Sequence, residues 1–279
     1  MTIKQILVHA DDTTATEARL SAALALGAAC GAQVVALYLI AEPFLRASVG
    51  RHLPEGFVRE HLAALEQEAD VRLAALQALA VAAGQTLEIK RATGMLDRLP
   101  TLLAREGRAA DLIVVGPATG EAGGDEALLA EAAFMDTGRP ALVVPADWSG
   151  TLPPTRALIA WDGSREAARA VGDAVPLLQK ATEVTVLVVD AHAAGPRFGD
   201  QPGTGLAAYL TRHGVNSHVK QVDSIAGGPG PTILAQAREE QADLLVMGGY
   251  GHSRIREMLF GGTTRHILDH TTATVLLAH

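Results

Sequence analysis

The sequence predicts an α/β protein built from two tandem five-stranded parallel sheets flanked by helices. Three observations carry that expectation. Short, uniformly apolar runs such as Ile6-Leu7-Val8 and Leu244-Leu245-Val246-Met247 read as strands covered on both faces, and such strands belong to parallel sheets whose crossovers lay helices above and below. The runs recur in the same order in both halves of the chain, an internal repeat. The length, 279 residues, suits two domains of ordinary size.

The elements match in order. Ile6-Leu7-Val8-His9-Ala10 followed by Asp11-Asp12-Thr13 corresponds to Ala157-Leu158-Ile159-Ala160-Trp161 followed by Asp162-Gly163-Ser164. Each reads as a buried strand ending in a turn that contains an aspartate. Val34 to Ile40, after a helical segment, corresponds to Val184 to Asp190. In the first half a long amphipathic helix is expected from Glu55 to Ala83, between the second and third strands. Asp111-Leu112-Ile113-Val114-Val115-Gly116 corresponds to Asp243-Leu244-Leu245-Val246-Met247-Gly248, and Pro140 to Val144 to Ala273 to Leu277. Between the halves, Trp148-Ser149-Gly150-Thr151-Leu152-Pro153-Pro154 is too rich in turn formers to continue an element. Domains are therefore expected at residues 1–147 and 154–279.

Composition excludes several classes. Hydrophobic residues at 48% and charged residues at 19% are incompatible with a disordered chain. The net charge of −8 lies mostly in the first half, and neither half is basic enough for a nucleic-acid surface. Aromatics at 4% argue against base-stacking platforms. Cys30 is the single cysteine, which rules out a disulfide framework or a cysteine-based metal cage and reads as a small buried hydrophobe. From Ser21 to Ala41 no residue is charged, about the length of a bilayer span. Its counterpart, Ala167 to Asp190, carries Arg169, Asp173, Lys180 and Glu183, so a buried helix running into a strand is expected, not a membrane segment. No apolar stretch follows a basic region at the N-terminus, and a cytoplasmic location is expected.

In an open parallel sheet a ligand sits outside the carboxyl ends of the strands, where strand order reverses. Gly248-Gly249-Tyr250-Gly251 follows the fourth strand of the second half, and Gly261-Gly262-Thr263-Thr264 opens a helix running from Arg265 to His270. Glycines let backbone N–H groups approach a ligand closely, and a helix N-terminus favours phosphate. Thr263 or Thr264 could cap that helix or offer a hydroxyl, and His252-Ser253-Arg254 could supply a cationic contact or simply be solvated. His266 and His270 stand at zinc-compatible spacing without a third ligand, so a packing pair is expected. The acidic run Glu121, Asp125, Glu126 and Glu131 reads as a solvated helix. The chain has no P-loop, no Gly-x-Ser-x-Gly turn and no cysteine pair, so no catalytic set is expected.

The spacing Gly248-x2-Gly251-x9-Gly261, together with Ala160-Trp161-Asp162-Gly163-Ser164, resembles the nucleotide motif and first-strand turn of the bacterial universal stress proteins. The resemblance covers nearly the whole chain as two tandem copies. It implies the adenine-nucleotide alpha hydrolase-like fold and a stress-response regulator that binds ATP or another adenine nucleotide, with Mg2+ as an optional companion. Carried over residue by residue, it implies that Asp162 contacts the nucleoside, Val188 or Val189 the adenine through backbone groups, Gly248 the ribose, and Gly251, Gly261, Gly262 and Thr263 the phosphates. Gly262 departs from the family's Ser or Thr, and Trp161 is bulkier than the residue usual beside that aspartate.

The first half departs further. Thr119 stands where the second glycine belongs and Leu128-Leu129 where the third does, among acidic residues that disfavour phosphate; it reads as a structural copy without nucleotide. The resemblance also implies that Pro140–Val144 and Ala273–Leu277 pair antiparallel, as an intrachain pseudo-dimer, with a homodimer as a further level. The alternatives are a nucleotide-free scaffold that binds partner proteins and, less favoured because no general base is placed in the motif, a slow ATPase.

Overall fold

Ten strands form one sheet in the computed structural model, which describes residues 2–42, 56–117, 125–192, 201–250 and 262–279. The first half runs β1 (Gln5–Ala10), α1 (Ala15–Cys30), β2 (Gln33–Glu42), α2 (Phe57–Ala82), β3 (Leu87–Met95), α3 (Leu99–Gly107), β4 (Leu112–Val115), α4 (Asp125–Met135) and β5 (Ala141–Val143). The second runs β6 (Arg156–Ala160), α5 (Arg165–Leu178), β7 (Glu183–Val189), α6 (Thr204–Arg212), β8 (Ser217–Val222), α7 (Pro229–Glu239), β9 (Leu244–Gly248), α8 (Thr263–His270) and β10 (Thr274–Ala278).

The strand order is β3-β2-β1-β4-β5-β10-β9-β6-β7-β8. Every pairing within a half is parallel. At the seam β5 and β10 are antiparallel, with Val143 opposite Val275 and Ala141 opposite Leu277. The pairing expected of the two last strands is therefore present, and it corrects the count: two five-stranded sheets have become one. The cause is the edge. A terminal strand presents unpaired N–H and C=O groups, and the repeat supplies an equivalent edge with which to satisfy them.

Alternation along the strands sorts side chains onto two covered faces. Ile6, Val8, Ile159 and Val246 pack on one face with Leu20 of α1 and Val171 of α5. Leu7, Ile113, Leu158 and Leu245 pack on the other with Phe134 of α4 and Ile267 of α8. On α2 the buried residues Ala69, Leu73, Leu76 and Ala80 recur at helical spacing, while Val71 and Val81 on other faces are exposed. The charge-free stretch divides at Gly31, which takes φ +62° to close α1 before β2 begins. Among the described residues no helix is long and apolar enough to cross a membrane.

The repeat extends to individual hydrogen bonds. Asp111 Oδ2 accepts from the amides of Lys4 and Gln5 at 2.8 and 3.0 Å, and Asp243 Oδ2 accepts from those of Thr155 and Arg156 at 2.8 and 2.9 Å. In both halves this fastens the start of the fourth strand to that of the first.

Candidate functional site

Strand order reverses between β1 and β4 in the first half and between β6 and β9 in the second. These two crevices are where a parallel sheet accepts ligands, and they are built differently.

In the second half β6 ends at Ala160, and the amide of Trp161 donates to Leu187 O at 2.8 Å. Asp162 Oδ1 accepts from the Ser164 amide at 2.9 Å, Gly163 takes φ +71°, and Ser164 Oγ caps α5 by accepting from the Ala167 amide at 3.1 Å. This uses one carboxylate oxygen of Asp162. Oδ2 has no hydrogen-bond partner among the described residues. Trp161 is half-buried against the core face that includes Ile159 and Val186.

The two candidate valines differ by strand parity. Asp190 donates its amide to Val222 O at 2.9 Å, so Val188 and Asp190 address β8, whereas Leu187 and Val189 address β6. Because β6 stops at Ala160, the Val189 amide reaches beyond it and makes no backbone bond there among the described residues. The Val188 side chain is fully buried. Val189 is thus the residue whose backbone faces the crevice.

Gly248 ends β9. A Cβ built there would lie 2.5 Å from the Ala167 amide nitrogen and 2.7 Å from the carbonyl carbon of Glu166, so the close approach this glycine permits is that of the first turn of α5. Gly248→Ala is expected to cost about 1–3 kcal/mol by forcing that turn outward. Urea unfolding measures it, and an unchanged midpoint would contradict the packing.

Gly249 donates its amide to Ala278 O at 2.9 Å and accepts from His279 Nδ1 at 3.0 Å. A Cβ there would meet Phe134 of the first half at 2.5 Å, and the Phe134 ring stacks on Tyr250 at 5.8 Å between centroids. Tyr250 takes φ +51°, and its amide donates to Thr264 Oγ1 at 3.2 Å. That bond ties the end of β9 to the start of α8.

Gly251, Gly261 and the run His252-Ser253-Arg254 lie outside the described residues, as do Thr119 and Glu121. Helix α8 begins at Thr263, two residues before the expected start, with Gly262 as its N-cap and no side-chain cap. With buried Thr264 committed to Tyr250, Thr263 carries the hydroxyl left at the open helix end. His266 and His270 stack at 4.3 Å, and His270 Nδ1 donates to His266 O at 2.9 Å. Burial first, and His270 second, lower the pKa of His266.

Sequence reading missed a titratable cluster in the second half. Glu183, His218 and Glu240 come from three elements and place a ligand atom each within 4.8 Å of one another. Lys220 already pairs with Glu240 at 2.6 Å, which makes the cluster an ion-pair network.

In the first half the crevice is occupied from within. Asp11 Oδ1 accepts from the Thr13 amide at 2.9 Å and from Thr16 Oγ1 at 2.7 Å, and Asp11 Oδ2 accepts from Arg19 Nη2 at 2.7 Å. Arg19, with a side chain only 4% exposed, also donates Nε to His9 O at 3.0 Å and Nη2 to Thr16 Oγ1 at 2.7 Å. A Cβ on Gly116, the counterpart of Gly248, would lie 2.8 Å from Arg19 Nη1. The signal was present as an arginine in an otherwise Ala- and Leu-rich helix, on the side of buried Leu20 and Ala23.

This cluster should weaken the fold as pH falls. Burial, with help from Arg19, lowers the pKa of His9 from 6.5 to about 4. Burial alone would raise that of Asp11, but Arg19, His9 and the hydroxyls of Thr13 and Thr16 outweigh it and bring it from 3.8 to about 2. Both folded values are depressed, so the unfolded chain takes up each proton first. The His9 contribution is whole above pH 6.5 and falls away toward pH 4; the Asp11 contribution is whole above pH 3.8 and falls away toward pH 2. These amount to about 3 kcal/mol for His9 and about 2 kcal/mol for Asp11. Unfolding measured from pH 7 to pH 4 should show the first loss, and His9→Gln should remove most of it, leaving the smaller share of His266; the same slope in the variant would place the titration elsewhere.

Comparison with known proteins places the second half in a family. Two doubly wound α/β halves joined at their edges define the class. The model of the family described as "Universal stress protein family" matches residues 154–279. A universal stress protein of Synechocystis sp. is 38% identical over 56 residues, 20% of each chain, so the match spans about a fifth of that relative's length. A universal stress protein structure from Archaeoglobus fulgidus has the same fold over 99% of this chain and 96% of that one, with a TM-score of 0.77 at 18% identity. A Pseudomonas aeruginosa structure described as a universal stress protein aligns over 99% of this chain and 93% of that one, with a TM-score of 0.56 at 17% identity. Residues 154–279 belong to the universal stress protein family, and the first half repeats their strand order, so two copies of the fold stand in tandem.

Proposed function

We propose that the second half binds ATP or another adenine nucleotide at the carboxyl ends of β6, β7 and β9, and that the protein acts as a stress-response regulator in the cytoplasm, not as a dedicated enzyme. One observation carries this reading: at the β6–β9 crevice Asp162 Oδ2 and the Val189 amide both lack partners among the described residues, a matched acceptor and donor for a nucleoside. The open N-terminus of α8 is tied to the end of β9 and suits phosphate. In this reading Asp162 takes a nucleoside hydroxyl or amino group, Val189 next to Val188 offers backbone groups to adenine, Gly248 borders the ribose, and Gly251, Gly261, Gly262 and Thr263 cradle the phosphates. Mg2+ would enter with those phosphates. The working domains are residues 1–147 and 154–279, with the first supporting the glycine turn through Phe134.

One nucleotide per chain is the expected stoichiometry, because Arg19 fills the first crevice. Acid denaturation of the purified protein, followed by ultraviolet absorbance and mass spectrometry, should release an adenine nucleotide, and calorimetry should saturate at one site. Saturation near two would show that the first half binds as well. No release and no binding would favour the scaffold reading, in which Gly248 serves only to seat α5 and the surface of the pseudo-dimer receives partner proteins.

A further inference from the structure

We propose that Phe134, a residue of the first half, is a positioning residue for the glycine turn of the second half, so that the affinity of the β6–β9 crevice is set by how α4 packs. The effect on affinity rests on the nucleotide reading; the positioning of the turn does not.

The contact crosses the seam. Helix α4 lies against β4 and β5 of its own half and against β10 of the other. Phe134, 1% exposed, stands near the end of that helix. Outside its own chain neighbours, a Cβ on Gly249 would have three atoms of this ring nearest to it, Cε2 at 2.5 Å, Cδ2 at 2.9 Å and Cζ at 3.3 Å. A residue without a side chain is therefore what admits the ring, the pairing of large with small that a close-packed interior requires. The repeat does not copy it. Pro117 stands where Gly249 does in the second half, and Ile267 stands as far before β10 as Phe134 does before β5.

The ring also bears on the next residue. It stacks on Tyr250 with centroids 5.8 Å apart and planes inclined by 27°. Tyr250 holds φ +51°, a left-handed conformation that bulky residues rarely adopt, and such a backbone persists where its surroundings over-determine it. Phe134 supplies one constraint. Thr264 supplies another, since its Oγ1 accepts from the Tyr250 amide at 3.2 Å. Thr264 is buried in the first turn of α8, beside Gly262 and Thr263. A shift of the ring thus passes through Tyr250 to the helix end that is read as the phosphate cradle.

Calorimetry of the full chain with ATP should show Phe134→Leu binding about tenfold more weakly, as when loss of the ring leaves the competent turn in about a tenth of the molecules. Hydrogen exchange of the Tyr250 amide, followed by nuclear magnetic resonance, should quicken by about the same factor. Leu76→Ala controls for lowered stability alone: Leu76 is fully buried on α2, on the other face of the sheet, and its loss should leave ATP affinity and Tyr250 exchange as in the unchanged protein. Gly249→Ala should weaken ATP because its methyl group meets the ring, and should weaken it less in the Phe134→Leu background, which lacks Cε2 and Cζ; that non-additivity identifies the contact. Thermal melts identify a variant that fails to fold, and if Phe134→Leu does, ATP binding and Tyr250 exchange in Gly249→Ala decide. Unchanged ATP affinity in Phe134→Leu, additive effects of the two changes, or an equal loss in Leu76→Ala would overturn the proposal and leave the nucleotide reading standing. No ATP binding by the unchanged protein would overturn the nucleotide reading instead, and exchange then decides the positioning: a Tyr250 amide as protected in Phe134→Leu as in the unchanged protein would overturn it.

Discussion

Arg19→Ala should lower the unfolding free energy by about 3–5 kcal/mol, the range for breaking a buried ion pair by removing one partner. The reason is what remains behind. Asp11 would be left as a carboxylate within a largely enclosed crevice, without the cation at 2.7 Å that holds it ionised, and His9 O and Thr16 Oγ1 would lose a donor each. Surface ion pairs contribute about 0–1 kcal/mol, and Arg19 differs from them by its burial. Urea unfolding near pH 7 measures the effect. Pairing Arg19→Met with Asp11→Asn should recover a large part of the loss, because removing both charges leaves no orphan. The penalty of the single variant should also shrink as pH falls, since an unpaired Asp11 takes up a proton more readily than a paired one. A cost below about 1 kcal/mol would mean that water screens the pair as on an open surface.

The strands were legible because their side chains leave little choice. Leu244 to Met247 and Leu112 to Val115 are apolar on both faces, and only a strand with helices on either side buries both. The seam was legible for a similar reason: Ala141–Val143 and Thr274–Ala278 each close a half at an edge. That the edges merge two sheets into one follows from pairing, which no single strand records. What the sequence concealed depends on distance in space. Arg19 lies eight residues from Asp11 on another element, and nothing local says that its guanidinium reaches over Gly116. Gly248 looks like a ligand-facing glycine, yet the atoms nearest to its missing Cβ belong to α5. The choice between Val188 and Val189 is one of parity, fixed by where β6 stops. Thr263-Thr264 reads as a cap, whereas the helix already includes both and Thr264 serves Tyr250.

The same comparison of halves sets the sharpest expectation for binding. Asp11 has both carboxylate oxygens committed, Oδ1 to Thr13 and Thr16 and Oδ2 to Arg19. Asp162 commits only Oδ1, to the Ser164 amide, and α5 has an alanine, Ala170, where α1 has Arg19. A nucleoside hydroxyl or amino group can therefore be received at Asp162 without displacing anything, and at Asp11 only by breaking a buried ion pair. Asp162→Ala should weaken adenine-nucleotide affinity roughly ten- to hundredfold, the equivalent of about 1.5–3 kcal/mol for a hydrogen bond to a charged group. Its effect on stability should be small, about 1 kcal/mol from loss of one turn hydrogen bond. Asp11→Ala should do the reverse, leaving nucleotide affinity almost unchanged while destabilising the fold through the stranded Arg19. Calorimetric titration with ATP and urea unfolding on both variants separate the two. Equal losses of affinity, or ATP bound undiminished by Asp162→Ala, would place the nucleoside away from the β6–β9 crevice.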